Sequence, residues 1–301
     1  MRTQTLGLSD LTCTRLAYGG WRLAGSEGGP LLTGNEGQSA VLAAFEAGCT
    51  LFDLADIYGG GECERIFGKA LKAAPEMRGQ IVLATKCGIC PPWDGAQHCY
   101  DSSAKHILAS VEGSLRRMGV EMVDLLMIHR PDYLGGPEEI AATFAQLHEQ
   151  GKVRWFGTSN FRPSQVTALQ KACAQPLIVQ QVEVSLTAQF TLDDGTLDQC
   201  LAEKITPLAW SPLAKGMIGD FRLDAENGPL AVLLDRVAAQ HGVSRTAIAL
   251  AWLLKHPSRM VPIIGSVNPE RIRAALEADR IELTREEWYA LLIAGRGVGL
   301  K

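Results

Sequence analysis

Short apolar runs alternate along this chain with longer segments of helical length. Runs such as Ile81 to Lys86 and Val123 to His129 stay almost wholly apolar until a polar residue ends them. Runs of this kind are typical of strands buried on both faces of a parallel sheet. The pattern predicts strands and helices in regular alternation, after a short hairpin that turns around Gly7-Leu8-Ser9-Asp10.

Eight strands are predicted, and each is followed by one or more helices. The strands are Arg15 to Gly19, Thr50 to Asp53, Ile81 to Lys86, Val123 to His129, Val153 to Ser159, Leu177 to Val182, Thr206 to Trp210 and Met260 to Ile264. The helices are Glu36 to Ala47, Cys63 to Ala73, Ala104 to Met118, Pro137 to Gln150, Pro163 to Ala172, Thr196 to Lys204, Leu230 to Gln240, Arg245 to His256, Pro269 to Ala278 and Arg285 to Ile293. At this length the alternation favours a closed (β/α)8 TIM barrel over an open doubly wound sheet. We expect residues 1–301 to form a single domain, with the hairpin at the bottom of the barrel.

Polar residues with related chemistry stand at or just past three of these strand ends. They are Asp53, Tyr58, Lys86 and His129. Strand ends of a parallel barrel converge on one mouth, so these side chains can surround one substrate atom. Side chains two apart share a face, which places Lys86 with Ala84 and Val82, and His129 with Met127 and Leu125.

This set of residues suits the reduction of a carbonyl group. A tyrosine is a poor acid near neutral pH because its pKa is about 10, and a nearby ammonium group lowers that value. We expect Lys86 to lower the pKa of Tyr58, Asp53 to keep Lys86 charged, and His129 to bind the carbonyl oxygen or assist the proton transfer. None of these side chains can donate a hydride, so the chemistry requires a redox cofactor, most simply a reduced nicotinamide.

Several further segments give the chain a resemblance to the aldo-keto reductase family over essentially its full length. They are Asp53 with Tyr58-Gly59, Ala84-Thr85-Lys86, Ile128-His129-Arg130-Pro131-Asp132, Gly157-Thr158-Ser159-Asn160-Phe161, Ala209-Trp210-Ser211-Pro212-Leu213 and Ile264-Gly265-Ser266. The resemblance implies that Asp53, Tyr58, Lys86 and His129 form the catalytic tetrad, with Tyr58 as general acid.

The same resemblance implies which residues bind the cofactor. Ser159, Asn160 and Gln181 would hold the nicotinamide carboxamide, and Trp210 would stack on its ring. The pyrophosphate would lie along Ser211, Pro212 and Leu213. Ser266, Asn268 and Arg271 would meet the adenosine 2′-phosphate, and the neighbouring Gly265 would also line the cofactor. Because a guanidinium pairs strongly with a phosphate, we expect NADP(H) to be the preferred cofactor, with NAD(H) as the alternative.

Two positions depart from the pattern of the family. Many members hold the adenine with an acid-amide pair, where this chain has Ala274 and Ala275. The stacking residue is often tyrosine, and here Trp210 keeps the aromatic face without the hydroxyl.

Other signals in the sequence concern substrates and metals. Four aromatic residues in predicted mouth loops could form a substrate pocket or simply pack: Trp21, Trp93, Tyr100 and Tyr133. Tyr58-Gly59-Gly60-Gly61 lacks the lysine and hydroxyl of a phosphate-binding loop, so we interpret it as a turn. Cys87, Cys90, His98 and Cys99 have ligand types that suit zinc but lack a second well-spaced pair, so no metal site is predicted.

Composition limits the partners of the protein. Hydrophobic residues make up 47% of the chain and charged residues 21%, as in ordinary globular proteins. The formal charge of −4 offers no general attraction to nucleic acid or to an anionic membrane. The N-terminal residues lack a signal-like apolar core and the eight cysteines are scattered, so we expect a cytoplasmic protein with reduced thiols. The oligomeric state does not follow from the sequence.

Three functions fit these observations. The first is an NADPH-dependent reductase that converts aldehydes or ketones to alcohols. The second is a dehydrogenase that uses the same groups to oxidise a sugar or another alcohol with NAD(P)+. The third is a nicotinamide-binding regulatory subunit, similar to the potassium-channel β-subunit branch of the family.

Overall fold

Eight parallel strands close into a barrel that helices surround. The structure is a computed structural model that describes residues 1–25, 34–91, 99–219 and 228–299. Its strands are β1 (Thr3–Thr5), β2 (Thr12–Thr14), β3 (Ala17–Gly19), β4 (Leu51–Asp53), β5 (Val82–Cys87), β6 (Ile89–Cys90), β7 (Cys99–Tyr100), β8 (Val123–Ile128), β9 (Val153–Ser159), β10 (Leu177–Glu183), β11 (Thr206–Trp210) and β12 (Val261–Ile264). Its α-helices are α1 (Gly34–Glu46), α2 (Glu62–Ala73), α3 (Ala104–Met118), α4 (Pro137–Glu149), α5 (Pro163–Ala172), α6 (Thr196–Glu203), α7 (Gly228–His241), α8 (Arg245–Leu254), α9 (Pro269–Leu276) and α10 (Arg285–Arg296).

The barrel order follows the chain order. Strands β3, β4, β5, β8, β9, β10, β11 and β12 are neighbours in that sequence, and β12 pairs with β3 to close the barrel. The predicted single-domain (β/α)8 barrel is thus confirmed. Within the described ranges, no helix is both long enough and apolar enough to cross a membrane.

The barrel interior is a buried apolar cluster, separate from the layer between strands and helices. On β5 it contains Val82 and Ala84, and on β8 it contains Leu125 and Met127. These are the inward positions that the two-residue period predicts, so Lys86 continues the inward face of β5. After β8 the backbone N–H of His129 donates to the carbonyl of Cys87 at 2.8 Å, which extends the ladder by one residue. The interior is packed below the mouth, and the polar side chains begin where the packing ends.

The predicted hairpin consists of β1 and β2, which pair antiparallel. Its residues Leu6, Leu11 and Cys13 belong to the same apolar cluster as the barrel interior. Two side chains of β9 hold the turn, because Arg154 and the indole N–H of Trp155 both donate to the Asp10 carboxylate, each at 2.8 Å. The hairpin therefore closes the end of the barrel opposite the mouth.

Gly7 lies where the hairpin turn touches the barrel. Its φ is +52°, and a Cβ at this position would lie 2.6 Å from the carbonyl oxygen of Ile178. Gly119, at the C-terminal end of α3, has a similar φ of +69°, but a Cβ added there would have no atom of the described residues within 4 Å. The two glycines thus share the backbone requirement and differ in the space around them.

We expect Gly7→Ala to destabilise the protein more than Gly119→Ala. The left-handed backbone costs alanine about 1 kcal/mol at either position, and overpacking against Ile178 adds about 1–3 kcal/mol at Gly7 alone. Urea denaturation of both variants measures the difference in the free energy of unfolding. Equal losses would contradict the close packing of the hairpin under the barrel.

Candidate active site

The ammonium group of Lys86 is enclosed in the barrel wall, and its side chain is 0% exposed. Its Nζ donates to Oδ2 of Asp53 at 2.8 Å, to the carbonyl of Leu54 at 2.6 Å and to the hydroxyl of Tyr58 at 3.1 Å. An ammonium group has three N–H donors, so these acceptors match its capacity. Because Tyr58 is the acceptor in its bond with Lys86, its own O–H proton stays available for another partner.

The chain after β4 runs alongside β5 and forms hydrogen bonds with it, which places Tyr58 next to Lys86. The N–H of Leu54 donates to the carbonyl of Ala84 at 2.9 Å, and the N–H of Asp56 donates to the carbonyl of Lys86 at 3.1 Å. A turn of three glycines with positive φ then follows Tyr58, as the sequence predicts, and leads into α2. The position of Tyr58 is thus set by backbone hydrogen bonds to the strand that carries Lys86.

The pKa values of this pair are governed first by burial. Burial raises the pKa of Tyr58 above its ordinary value of 10, and the Lys86 ammonium opposes this rise without cancelling it. Lys86 thus acts on the pKa of Tyr58 in the predicted direction, but desolvation of the phenolate, which the sequence does not reveal, is the larger effect and leaves that pKa raised. Burial also disfavours the ammonium form of Lys86, but Asp53 and Tyr58 outweigh it, and the pKa of Lys86 is raised. At neutral pH the site holds a charged lysine beside a neutral tyrosine.

His129 completes the group on the side of β8. Its ring meets the ring of Tyr58 edge-on, with 5.7 Å between centroids and 77° between planes. Burial, with the nearby charges of Lys86 and Arg130, lowers the pKa of His129 to about 2, so its imidazole is neutral. Its Nδ1 is buried and has no hydrogen-bond partner among the described residues. A neutral imidazole at this position can hydrogen-bond a polar group placed beside Tyr58.

The predicted carboxamide-binding residues connect directly to this group. Gln181 on β10 donates from Nε2 to Oδ1 of Asp53 at 3.0 Å, so each Asp53 oxygen has a partner. Asn160 follows β9 with a left-handed φ of 60°, and its Nδ2 donates to Oγ of Ser159 at 2.7 Å. The indole N–H of Trp210 donates to Oδ1 of Asn160 at 2.9 Å. Ser159, Asn160, Gln181 and Trp210 therefore lie together at the mouth, and Gln181 connects them to Asp53.

The segment after β11 has an unusual backbone. Ser211, Ala214 and Lys215 are not glycines, yet their φ angles are 49°, 49° and 59°. Such conformations cost about 1–3 kcal/mol each and cluster at ligand sites. This segment contains the predicted pyrophosphate residues Ser211, Pro212 and Leu213.

The predicted 2′-phosphate residues lie at the start of α9. Asn268 caps this helix, and its Oδ1 accepts from the N–H groups of Glu270 and Arg271 at 2.9 and 3.1 Å. Ser266 accepts from the N–H of Asn268 at 3.2 Å, and Gly265 precedes it at the end of β12. Arg271 is exposed on the first turn of α9. The positive end of a helix favours anions, so the location suits a phosphate.

The two alanines that replace the usual adenine-binding pair lie one turn further along α9. Ala275 is buried in the core, and Ala274 is partly buried. Neither side chain offers a hydrogen bond.

The predicted substrate aromatics follow barrel strands at the mouth but do not form one cluster. Trp21 lies just after β3, Tyr100 on β7, and Tyr133 after β8, and all three are exposed. Within the described ranges, no ring contact joins them to one another. Trp93 lies outside the described residues.

Two contacts at the site were not expected from the sequence. The Gln181–Asp53 bond joins residues on β10 and β4 that are 128 positions apart. The guanidinium of Arg130 lies 5.9 Å from the centroid of the Trp210 ring. Arg130 belongs to the motif that contains His129, so its position after β8 could have suggested a role at the mouth.

The neutral state of His129 predicts a specific dependence of stability on pH. Its folded pKa lies below the unfolded value of about 6.5, so the unfolded chain binds the proton more readily and stability falls as the pH drops below 6.5. Between about pH 6.5 and pH 4.5 this amounts to about 2 kcal/mol. His129→Asn removes the titrating group, so its unfolding free energy should fall less steeply over that range. Parallel curves from urea denaturation of the two proteins would contradict the neutral, buried imidazole.

Comparison with known proteins agrees with this geometry. The model of the aldo/keto reductase family matches residues 15–293. A 6-dehydroglucose reductase from Agrobacterium fabrum is 42% identical over 96% of this chain and 96% of its own length. A second 6-dehydroglucose reductase, from Novosphingobium aromaticivorans, is 39% identical over 97% of this chain and 95% of its own length.

A solved structure of an aldo-keto reductase has the same fold as this chain. The crystal structure of the thermostable aldo-keto reductase Tm1743, in complex with the inhibitor epalrestat, superposes with a TM-score of 0.83 at 28% identity, over 97% of this chain and 98% of that one. The family match and the reductase relatives make this protein an oxidoreductase of the carbonyl/alcohol couple. The chain belongs to the aldo/keto reductase family.

Proposed function

We propose that this protein reduces an aldehyde or ketone to an alcohol with NADPH, with Tyr58 as the general acid. The observation that carries the proposal is the buried Lys86 ammonium, hydrogen-bonded to both Asp53 and Tyr58 beside a neutral His129. This arrangement holds a proton on Tyr58 at neutral pH and stabilises the phenolate that remains once the proton has left.

Proton transfer from Tyr58 follows from the direction of its hydrogen bonds. Lys86 donates to the Tyr58 oxygen, so the phenolic O–H can point toward a substrate oxygen. As negative charge grows on that oxygen, the O–H bond of Tyr58 breaks and a new O–H bond forms on the substrate. The Lys86 ammonium lies 3.1 Å from the oxygen that becomes negative, and Asp53 keeps Lys86 in place.

His129 would orient the substrate carbonyl. A neutral imidazole has one N–H donor and one acceptor nitrogen, and the buried Nδ1 has no partner among the described residues. Donation from this ring to the carbonyl oxygen would hold that oxygen beside Tyr58, whose ring lies edge-on to His129. A neutral donor polarises the carbonyl without competing with Tyr58 as the acid.

The residues along β9 to β12 fit a nicotinamide cofactor. Ser159, Asn160 and Gln181 would bind the carboxamide, Trp210 would supply a flat face for the ring, and Ser211, Pro212 and Leu213 would line the pyrophosphate. Ser266, Asn268 and Arg271 would hold the 2′-phosphate, with Gly265 beside them, which favours NADP(H) over NAD(H). When bound, the reduced nicotinamide supplies the hydride that the side chains cannot.

The raised pKa of Tyr58 keeps its side chain in the protonated form that carbonyl reduction needs. Alcohol oxidation needs Tyr58 as a phenolate that can accept a proton, and burial disfavours this form at neutral pH. Oxidation of a sugar or another alcohol with NAD(P)+ uses the same groups and should become competitive only at higher pH.

Names of relatives suggest the first substrate class to test. The relatives from Agrobacterium fabrum and Novosphingobium aromaticivorans are named 6-dehydroglucose reductases, so an oxidised sugar is the carbonyl compound that we propose. Trp21, Tyr100 and Tyr133 would supply aromatic faces at the mouth. We also retain the expectation that the protein works in the cytoplasm.

Tyr58→Phe should abolish carbonyl reduction and leave cofactor binding intact. The substitution keeps the ring but removes the proton, and general acid catalysis contributes about 10²–10⁴-fold to a rate. NADPH oxidation in the presence of 6-dehydroglucose measures turnover, and quenching of protein fluorescence measures cofactor binding. Tyr289→Phe on α10 is the matched control and should retain turnover. A Tyr58→Phe variant with wild-type turnover would rule out the proposed acid.

Arg271→Gln should weaken NADPH binding and leave NADH binding unchanged. A hydrogen bond to a charged group contributes about 1.5–3 kcal/mol, which corresponds to a loss of affinity of about 10- to 150-fold. Arg273→Gln, on the same helix and also exposed, is the control for a general change of surface charge. Equal losses for both cofactors would contradict a specific contact with the 2′-phosphate.

A further inference from the structure

A second group of chemically reactive side chains lies beside the mouth, on the short hairpin after β5 and the start of α3. Strands β6 and β7 pair antiparallel, with Cys90 directly opposite Cys99. Asp101 follows β7, and His106 lies in the first turn of α3. Ligand atoms of Cys90, Asp101 and His106 all lie within 4.8 Å of one another.

This group differs from the cysteine set that the sequence suggests. Cys87 is buried in the apolar layer between the barrel and its helices, so its thiol does not join Cys90. His98 lies outside the described residues. Asp101 and His106 join Cys90 because the hairpin leads straight into α3, a connection that no spacing motif records.

We propose that Cys90, Asp101 and His106 form a binding site for a zinc ion. Thiolate, imidazole and carboxylate are the three ligand types that zinc takes in proteins. Bonds of about 2.0–2.3 Å in a tetrahedral site place ligand atoms about 3.5 Å apart. Small side-chain rotations would bring the ligand atoms of Cys90, Asp101 and His106 from their present separation to that distance. One thiolate and one carboxylate neutralise the charge of the ion.

The geometry around His106 leaves its Nδ1 for the metal. Its Nε2 lies 3.4 Å from Oγ of Ser110, and Ser110 also hydrogen-bonds the side chain of Asp56. A chain from imidazole N–H to serine to carboxylate fixes the tautomer that leaves Nδ1 unprotonated, as outer partners do at metal-binding histidines. Nδ1 itself lies 3.9 Å from Oδ2 of Asp101.

The carboxylate of Asp101 is also oriented to bind a metal ion. Its Oδ1 accepts from the N–H of Ser103 at 2.9 Å, which leaves Oδ2 facing His106. The side chains of His106 and Asp101 are 24% and 42% exposed, so an ion can reach them from solvent.

The fourth position falls to Cys99 or to water. The thiol of Cys99 is hydrogen-bonded to that of Cys90, which places it at the edge of the site. Zinc binds the thiolate form of cysteine, so the Cys90 thiol must lose its proton. On binding, that proton is released to solvent as the sulfur–zinc bond forms.

Metal titration of the intact protein tests the site. Protein freed of metal by a chelator and kept reduced with a phosphine is titrated with zinc against a chromophoric chelator, and in parallel with cobalt(II). We expect one equivalent of zinc to bind, and cobalt to give the near-ultraviolet charge-transfer band of a thiolate ligand. Absence of stoichiometric zinc binding to the wild type would overturn the proposal.

Single substitutions then assign the ligands. Cys90→Ser and His106→Gln should each weaken zinc binding by more than about tenfold, the least that loss of even an outer partner costs at metal sites. Cys173→Ser at the end of α5 and His148→Gln on α4 lie outside this group and should bind zinc as the wild type does. Asp101→Asn provides a third ligand variant if another fails to fold by circular dichroism. Zinc affinity that is unchanged in the folded ligand variants would overturn the assignment.

Discussion

The constraint on which this site depends is the burial of the Lys86 ammonium. Moving such a charge out of water costs several kcal/mol, and the cost is offset only where partners occupy every donor. Asp53, the carbonyl of Leu54 and the hydroxyl of Tyr58 supply those partners. Strand β4 ends at Asp53, and the path of the chain after it, with its backbone hydrogen bonds to β5, brings the Leu54 carbonyl and Tyr58 to Lys86. Fold and chemistry are therefore linked through one charge.

The hydrogen-bond network around Lys86 extends across the barrel mouth. Asp53 bridges to Gln181, and a second set of hydrogen bonds links Ser159, Asn160 and Trp210. Groups that we assign to proton transfer and groups that we assign to the cofactor thus lie together on neighbouring strands. Burial has a second consequence, since it keeps Tyr58 protonated and His129 neutral. In these protonation states, both side chains can donate a hydrogen bond to a carbonyl oxygen.

Sequence periodicity predicted the barrel because strands buried on both faces are almost wholly apolar. Strand β9 and helix α5 begin and end at the predicted residues. Period two likewise predicted the inward face of Lys86. The direction of the Tyr58 pKa was not predictable, since it depends on how far the mouth excludes water, which no local pattern encodes. The same holds for the approach of Asp101 and His106 to Cys90, which arises from the hairpin and the cap of α3. Such contacts depend on tertiary packing. The positions of the strand ends predict only that residues lie at the same end of the barrel.

The most direct test of the central claim follows reduced-nicotinamide fluorescence on mixing the wild-type protein with NADPH and then with a reactive aromatic aldehyde or 6-dehydroglucose, with a parallel run in NADH. One trace reports both cofactor binding and its consumption. We expect a change in fluorescence on cofactor binding, followed by a loss that requires the carbonyl compound and is stronger with NADPH. If neither NADPH nor NADH bound, that result would contradict the assignment of the barrel mouth as a nicotinamide-dependent carbonyl site.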